Sequence, residues 1–136
     1  MIRGSCLCGR VRYEIEGGFS DASHCHCGQC RKGHGAAFAS YGVLPSAALK
    51  YTAGSEAIRS YRASATATRT FCGDCGSNLE WRGSRTPERV GIALGALDDE
   101  PAVRPRQHIF VGSRAPWYEI ADELPQFTAD AAGHSE

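Results

Sequence analysis

Seven cysteines in 136 residues fall into three tight clusters, and no other feature constrains this chain's fold as strongly. Cys6-Leu7-Cys8 is a C-x-C turn and Cys72-Gly73-Asp74-Cys75 a C-x-x-C turn. Cys25, Cys27 and Cys30 lie within HCHCGQCRK, residues 24–32. Spacings this short bring thiolates onto a single turn, as a metal ion requires. The competing reading is a disulfide framework. An odd cysteine count leaves one thiol over, and the start, MIRGSCLCGRVRYEIEG, carries no apolar leader. A cytoplasmic, reducing setting is expected, where disulfides are rare and metal sites common.

The clusters divide into two kinds of site. Cys6, Cys8, Cys72 and Cys75 supply four thiolates, the closed tetrahedral set of a structural Zn²⁺. In each pair, backbone N–H groups are expected to point at sulfur, with the following glycine accepting the strained φ. The alternative is two unrelated pairs, or one redox couple. A redox C-x-x-C sits in a strand–helix–strand unit, and none is visible here.

Cys25, Cys27 and Cys30 supply only three thiolates, which leaves a fourth position for water or substrate, as in catalytic rather than structural zinc. Closure by His24, His26 or His34 would instead give a structural Cys₃His site. His26, flanked by two ligands, is expected to point away, and His34 has the better reach. Arg31 and Lys32 follow the last ligand. They would offset the thiolate charge or hold an anionic substrate group, unless they are an ordinary solvated pair. His108 has the chemistry of a proton shuttle, although such a histidine is more often a packed strand residue. Trp117 could wall a substrate pocket, but the commoner role is a core anchor.

Composition narrows the class. With 42% hydrophobic and 22% charged residues, the chain reads as one soluble globular domain, expected over 1–128 with a frayed tail at 129–136. No stretch approaches the roughly 18 consecutive apolar residues of a membrane span. The formal net charge is zero, and seven thiolates on two Zn²⁺ ions would take it to about −3. Its two lysines, Lys32 and Lys50, and its scattered arginines form no basic footprint for nucleic acid. GRVRYEIEG alternates strictly, so Val11, Tyr13 and Ile15 should face a core. AAFASYGVLP, ALKYTAG, AIRSYRAS, TATRTF, SNLEWRG and RVGIALGAL read as short strands, and HIFVGSRAPW begins as one. Residues 20–35 read as a loop with one helical turn, and YEIADELPQF as holding another. Short strands and glycine-rich turns without long helices make the chain all-β. No G-x-S-x-G elbow or phosphate loop is present.

Four pieces in order, GSCLCGRVRYEIEG, HCHCGQCRK, RTFCGDCGSNL and HIFVGSRAPWYEIADELPQF, carry a further likeness. With them the chain resembles the glutathione-dependent formaldehyde-activating (GFA) family, also called the CENP-V/GFA domain. The resemblance implies a compact, zinc-stapled β-fold of the Mss4-like type. It implies two Zn²⁺ per chain, one structural on Cys6, Cys8, Cys72 and Cys75 and one catalytic on Cys25, Cys27 and Cys30. The implied activity is reversible condensation of a small, glutathione-like thiol with a formaldehyde-like aldehyde, formally carbon–sulfur lyase chemistry. The alternative is a non-catalytic zinc module that binds protein or nucleic acid, a role associated with a chromosomal branch of the family. That branch carries a basic, low-complexity extension, which these residues lack.

Overall fold

The computed structural model describes residues 1–130. Among them, ten strands run in chain order: β1 (Ile2–Ser5), β2 (Arg12–Ile15), β3 (Asp21–Cys25), β4 (Ala39–Pro45), β5 (Leu49–Ala53), β6 (Ile58–Arg62), β7 (Ala67–Cys72), β8 (Asn78–Gly83), β9 (Arg89–Ala93) and β10 (His108–Ile109). One helix, α1 (Gly28–His34), follows β3. The strands form two sheets, one ordered β1-β2-β5 and the other β10-β3-β4-β9-β8-β7-β6. The all-β expectation holds, and so does each strand read from AAFASYGVLP through RVGIALGAL.

Alternation decides how the sheets close on one another. Val11, Tyr13 and Ile15 are fully buried while Arg12 is exposed, as the period of two requires. They pack with Leu44, Leu79, Val90 and Ile92 from the larger sheet, and with the sulfurs of Cys6 and Cys72. Full burial of each large aliphatic side chain there contributes about 1.5–3 kcal/mol. The paired strand β9 is buried along four of its five residues, as its apolar run predicts.

One strand is unforeseen and two expectations need correction. First, β1, which is not among the expected strands, lies ahead of Cys6, where IRGS has no strand-like alternation. It is held by four-residue pairing to β2 and by the Arg3–Asp99 ion pair. Second, residues 21–25 are a strand rather than loop. DASHC is too polar to read as one, yet it is paired on both sides, antiparallel to β4 and parallel to β10. Third, YEIADELPQF contains no helical turn; its Leu124 N–H instead caps onto Asp122 and its Gln126 bridges His108. Of the expected tail, Ala129 accepts a hydrogen bond from the Phe110 N–H, and residues 131–136 lie outside the described part.

Candidate metal centres and active site

The fold gathers the seven cysteines into two groups whose sulfurs lie within 4.8 Å of one another, Cys6 with Cys8, Cys72 and Cys75, and Cys25 with Cys27 and Cys30. All seven are free thiols. In the first group Cys6 and Cys8 occupy the β1–β2 turn, and Cys72 and Cys75 the β7–β8 turn, so the group joins the two sheets. The Val11 N–H donates to Cys6 Sγ at 3.2 Å, and Gly9 and Gly76 have φ of 80° and 81°. Both are the features expected of such turns. Sγ–Sγ separations of 3.5 Å (Cys6–Cys8) and 3.9 Å (Cys8–Cys72) bracket the roughly 3.8 Å tetrahedral edge that a Zn–S bond of about 2.3 Å would give. The donor set and spacing therefore fit a closed zinc site. Around it, Arg10 pairs with Asp74 at 2.6 Å and the Leu7 N–H donates to Ser77 Oγ at 2.7 Å, clamping the two turns together.

The second group forms where β3 ends and α1 begins. Cys25 is the last residue of β3, held between Ala39 of β4 and Ile109 of β10. Cys27 is the N-cap of α1, and its sulfur accepts from the Cys30 N–H at 3.3 Å. A cap sulfur and an i+3 amide thus place two thiols on the same helix end. Gly35 ends the helix in the left-handed conformation, with φ 61°. All three cysteines are buried, in a small cluster with Ala39, Tyr41, Ile109 and Phe110. Phe110 is the one described non-glycine residue with positive φ, at 55°. A bulky residue held there stores strain beside the cluster.

Three buried thiols in contact cannot all ionise unaided. Hydrogen bonds from Cys25 and Cys30 hold Cys27 far below the ordinary thiol value, and the same sharing pushes Cys25 far above it. A divalent cation would replace those shared protons, so this donor set also fits zinc.

No fourth His, Cys, Asp or Glu among the described residues brings a ligand atom into this group. His34 does not close it. Its Nε2 lies 2.9 Å from the Tyr41 hydroxyl, which in turn accepts from Arg69 Nη1 at 3.4 Å. His24 Nδ1 is 2.7 Å from Ser40 Oγ. His26 points away from the sulfurs, as expected, with Nε2 2.8 Å from His108 Nδ1. His108 Nε2 then meets the Asp122 carboxylate at 2.9 Å. Phe38 and Tyr118 stack around these rings.

The charge beside the cluster comes from an unexpected residue. Arg31 donates to the Ser113 carbonyl at 3.0 Å, and Lys32 is exposed. The guanidinium on the cluster is that of Arg69, whose Nη2 donates to Cys30 Sγ at 3.4 Å. Arg69 lies in TATRTF on β7, 39 residues beyond Cys30 with β4, β5 and β6 between them, and only pairing across the fold reveals it. Trp117 is corrected as well. It is 69% exposed on the turn after Pro116, and Ala115 and Tyr118 take the inward positions. A cleft of about 340 Å³ lined by Arg3, Arg12, Glu14 and Asp98 lies at the smaller sheet, and no cysteine lines it.

Comparison with known proteins follows the same lines. The family described as glutathione-dependent formaldehyde-activating enzyme matches residues 1–113. The fold is similar to the crystal structure of a Rhodobacter sphaeroides protein, with a TM-score of 0.62 and 28% sequence identity over 91% of this chain and 98% of that one. No curated protein matches.

Proposed function

The chain belongs to the glutathione-dependent formaldehyde-activating enzyme family, and from that premise we propose that it condenses a small thiol with an aldehyde at Cys25, Cys27 and Cys30. The observation that carries this reading is the contrast between the two groups. One has four converging thiols. The other has three, and His34 is engaged by Tyr41 instead. A chain that completes one tetrahedron and leaves the other one ligand short has a position for a substrate.

Cys6, Cys8, Cys72 and Cys75 would hold a structural zinc that staples the two sheets, and Cys25, Cys27 and Cys30 a second, catalytic one. When bound there, zinc supplies a cation that keeps a thiol deprotonated at neutral pH. The residues around it do the rest. Burial of the three sulfurs excludes bulk water, which strengthens every electrostatic contact at the site. Phe110 and Tyr41 wall the cluster. In the reaction the substrate sulfur forms a bond to the carbonyl carbon, the C=O π electrons move to oxygen, and the thiol's proton ends on that oxygen. The product is an S-hydroxyalkyl thiol, and the reverse step releases both reactants. His108 and Asp122 hold the His26 ring, and with it the segment between two of the sulfurs. Among the described residues no helix is long and apolar enough to cross a membrane.

The test is direct. Zinc-loaded protein is mixed with glutathione and formaldehyde, and exchange between free and thiol-bound formaldehyde is followed by NMR. Exchange faster than in buffer, over several thiol and aldehyde pairs, supports the assignment. Exchange at the buffer rate for every pair favours a non-catalytic zinc module for protein or nucleic-acid interaction.

A further inference from the structure

We propose that Arg69 is the positioning residue that makes the three-cysteine site accept its ligand as a thiolate rather than as a neutral donor; this rests on the function proposed above. The side chain is half-buried and held on three sides. Nη2 donates to Cys30 Sγ at 3.4 Å, Nη1 to the Tyr41 hydroxyl at 3.4 Å, and Nε to Gln29 Oε1 at 3.3 Å. A planar guanidinium can span three acceptors in this way, whereas an ammonium on a flexible stem cannot hold the same fork.

The counter-charge of this cation is sulfur. Among the described residues, Arg3, Arg10, Arg82 and Arg104 pair with carboxylates, and no ion pair uses Arg69. The groups facing it from the neighbouring elements are Cys27, Cys30 and His34 on and before α1, Tyr41 on β4 and Cys25 on β3. Burial pushes the Tyr41 hydroxyl up to about 12 and lowers His34, which favours the neutral form of each. Arg69 is the member of the set that stays cationic.

Charge then dictates ligand preference. Three thiolates on a divalent ion carry one net negative charge, and a fourth thiolate doubles it. In a buried site that repulsion is large, because little water screens it. A guanidinium in contact with one of the sulfurs offsets one unit throughout. Water, an alcohol or an imidazole adds no charge, so its binding depends little on Arg69. The residue therefore acts through Cys30 on which class of ligand the site prefers.

The experiment uses the full chain loaded with two cobalt(II) ions in place of zinc. Sulfur-to-cobalt charge-transfer absorption is read while 2-mercaptoethanol is added at pH 7, and again with imidazole as the neutral donor. Arg69→Met should keep two cobalt ions per chain, weaken the apparent thiol affinity roughly tenfold or more, and leave imidazole binding near wild type. Arg69→Lys should recover part of the thiol affinity, and Lys32→Met should titrate like wild type. Should Arg69→Met shed its second cobalt, Arg69→Gln and Arg69→Lys decide by the same ratio of thiol to imidazole affinity. Equal thiol affinity in wild type and the neutral variants overturns the role of Arg69 alone, as does an equal loss for both ligands. A wild-type protein that shows no thiol-dependent absorption overturns the proposed function as well.

Discussion

His26 Nε2 lies 2.8 Å from His108 Nδ1, and both rings are buried. The tautomers follow from the far end of the chain. Asp122 only accepts, so His108 carries its proton on Nε2 and offers Nδ1 as acceptor. His26 therefore donates from Nε2, and its own Nδ1 is a buried acceptor without a hydrogen-bond partner. Because His26 separates Cys25 from Cys27, the rings act as a strut for the sulfur-bearing turn. His108→Phe should remove the strut and leave His26 with no partner at either nitrogen. The expected loss is about 1–3 kcal/mol of stability, with zinc released from the second site at lower chelator concentration. Thermal melts and metal titration would measure both. An unchanged melting temperature and zinc affinity would count against the strut.

Acid should weaken the same region. Burial lowers His26 from its ordinary 6.5 to about 4. The unfolded chain takes up this proton at the ordinary value and the folded chain resists it. The contribution of neutral His26 is thus fully present above pH 6.5 and is lost as pH falls towards 4. Denaturant melts of wild type and His26→Phe, with zinc in excess, separate this effect from ligand protonation. Wild type should lose more stability than the variant between those two pH values, and parallel curves would refute the account.

How much of this could be read from the chain depends on where each interaction lies. Strand β2 was legible because Val11, Tyr13 and Ile15 alternate with charged residues, and burial of one face forces that pattern. The cysteine clusters were legible because thiols gathered on one turn must be close in sequence. Strand β3 was not. DASHC has little apolar character, and its order comes from neighbours on both sides, β4 and β10, that no local window contains. Arg69 and Asp122 reach the site from 39 and 14 residues away from their partners Cys30 and His108. Arg31 and Lys32, adjacent to the last cysteine, looked better placed, but helix geometry carries them off the sulfur face. Trp117 misled for a similar reason, since the turn at Pro116 sends its ring outward.

Cysteine substitutions should separate the two groups. Cys30→Ser removes one of the three thiols proposed to hold the second zinc, in a peripheral cluster that includes Ala39, Tyr41 and Phe110. Bound zinc should fall from two per chain towards one, turnover should vanish, and circular dichroism should stay folded. Cys72→Ser acts in the main core, on the proposed zinc staple between the sheets. Structural zinc is worth on the order of 10 kcal/mol of folding free energy, so this variant should unfold or aggregate. Elemental analysis and melting curves distinguish the pair. Full activity in Cys30→Ser would remove the catalytic assignment.

Phe110 offers a test in which backbone and side chain pull in opposite directions. Its left-handed conformation, φ 55° and ψ 37°, costs on the order of 1–3 kcal/mol in a non-glycine residue. The residue nevertheless packs against the buried cluster of Cys25, Cys27, Cys30 and Ala39. Phe110→Gly relieves the strain, since glycine adopts this conformation freely, and removes the wall. Because the ring is only partly buried, its lost packing is expected to be about as large as the strain relieved. Global stability should therefore change by less than about 1 kcal/mol. Access should change far more. With zinc stripped from the second site, Cys25, Cys27 and Cys30 should react with a bulky maleimide several-fold faster in Phe110→Gly than in wild type. Equal labelling rates at equal stability would show that the ring does not guard the sulfurs.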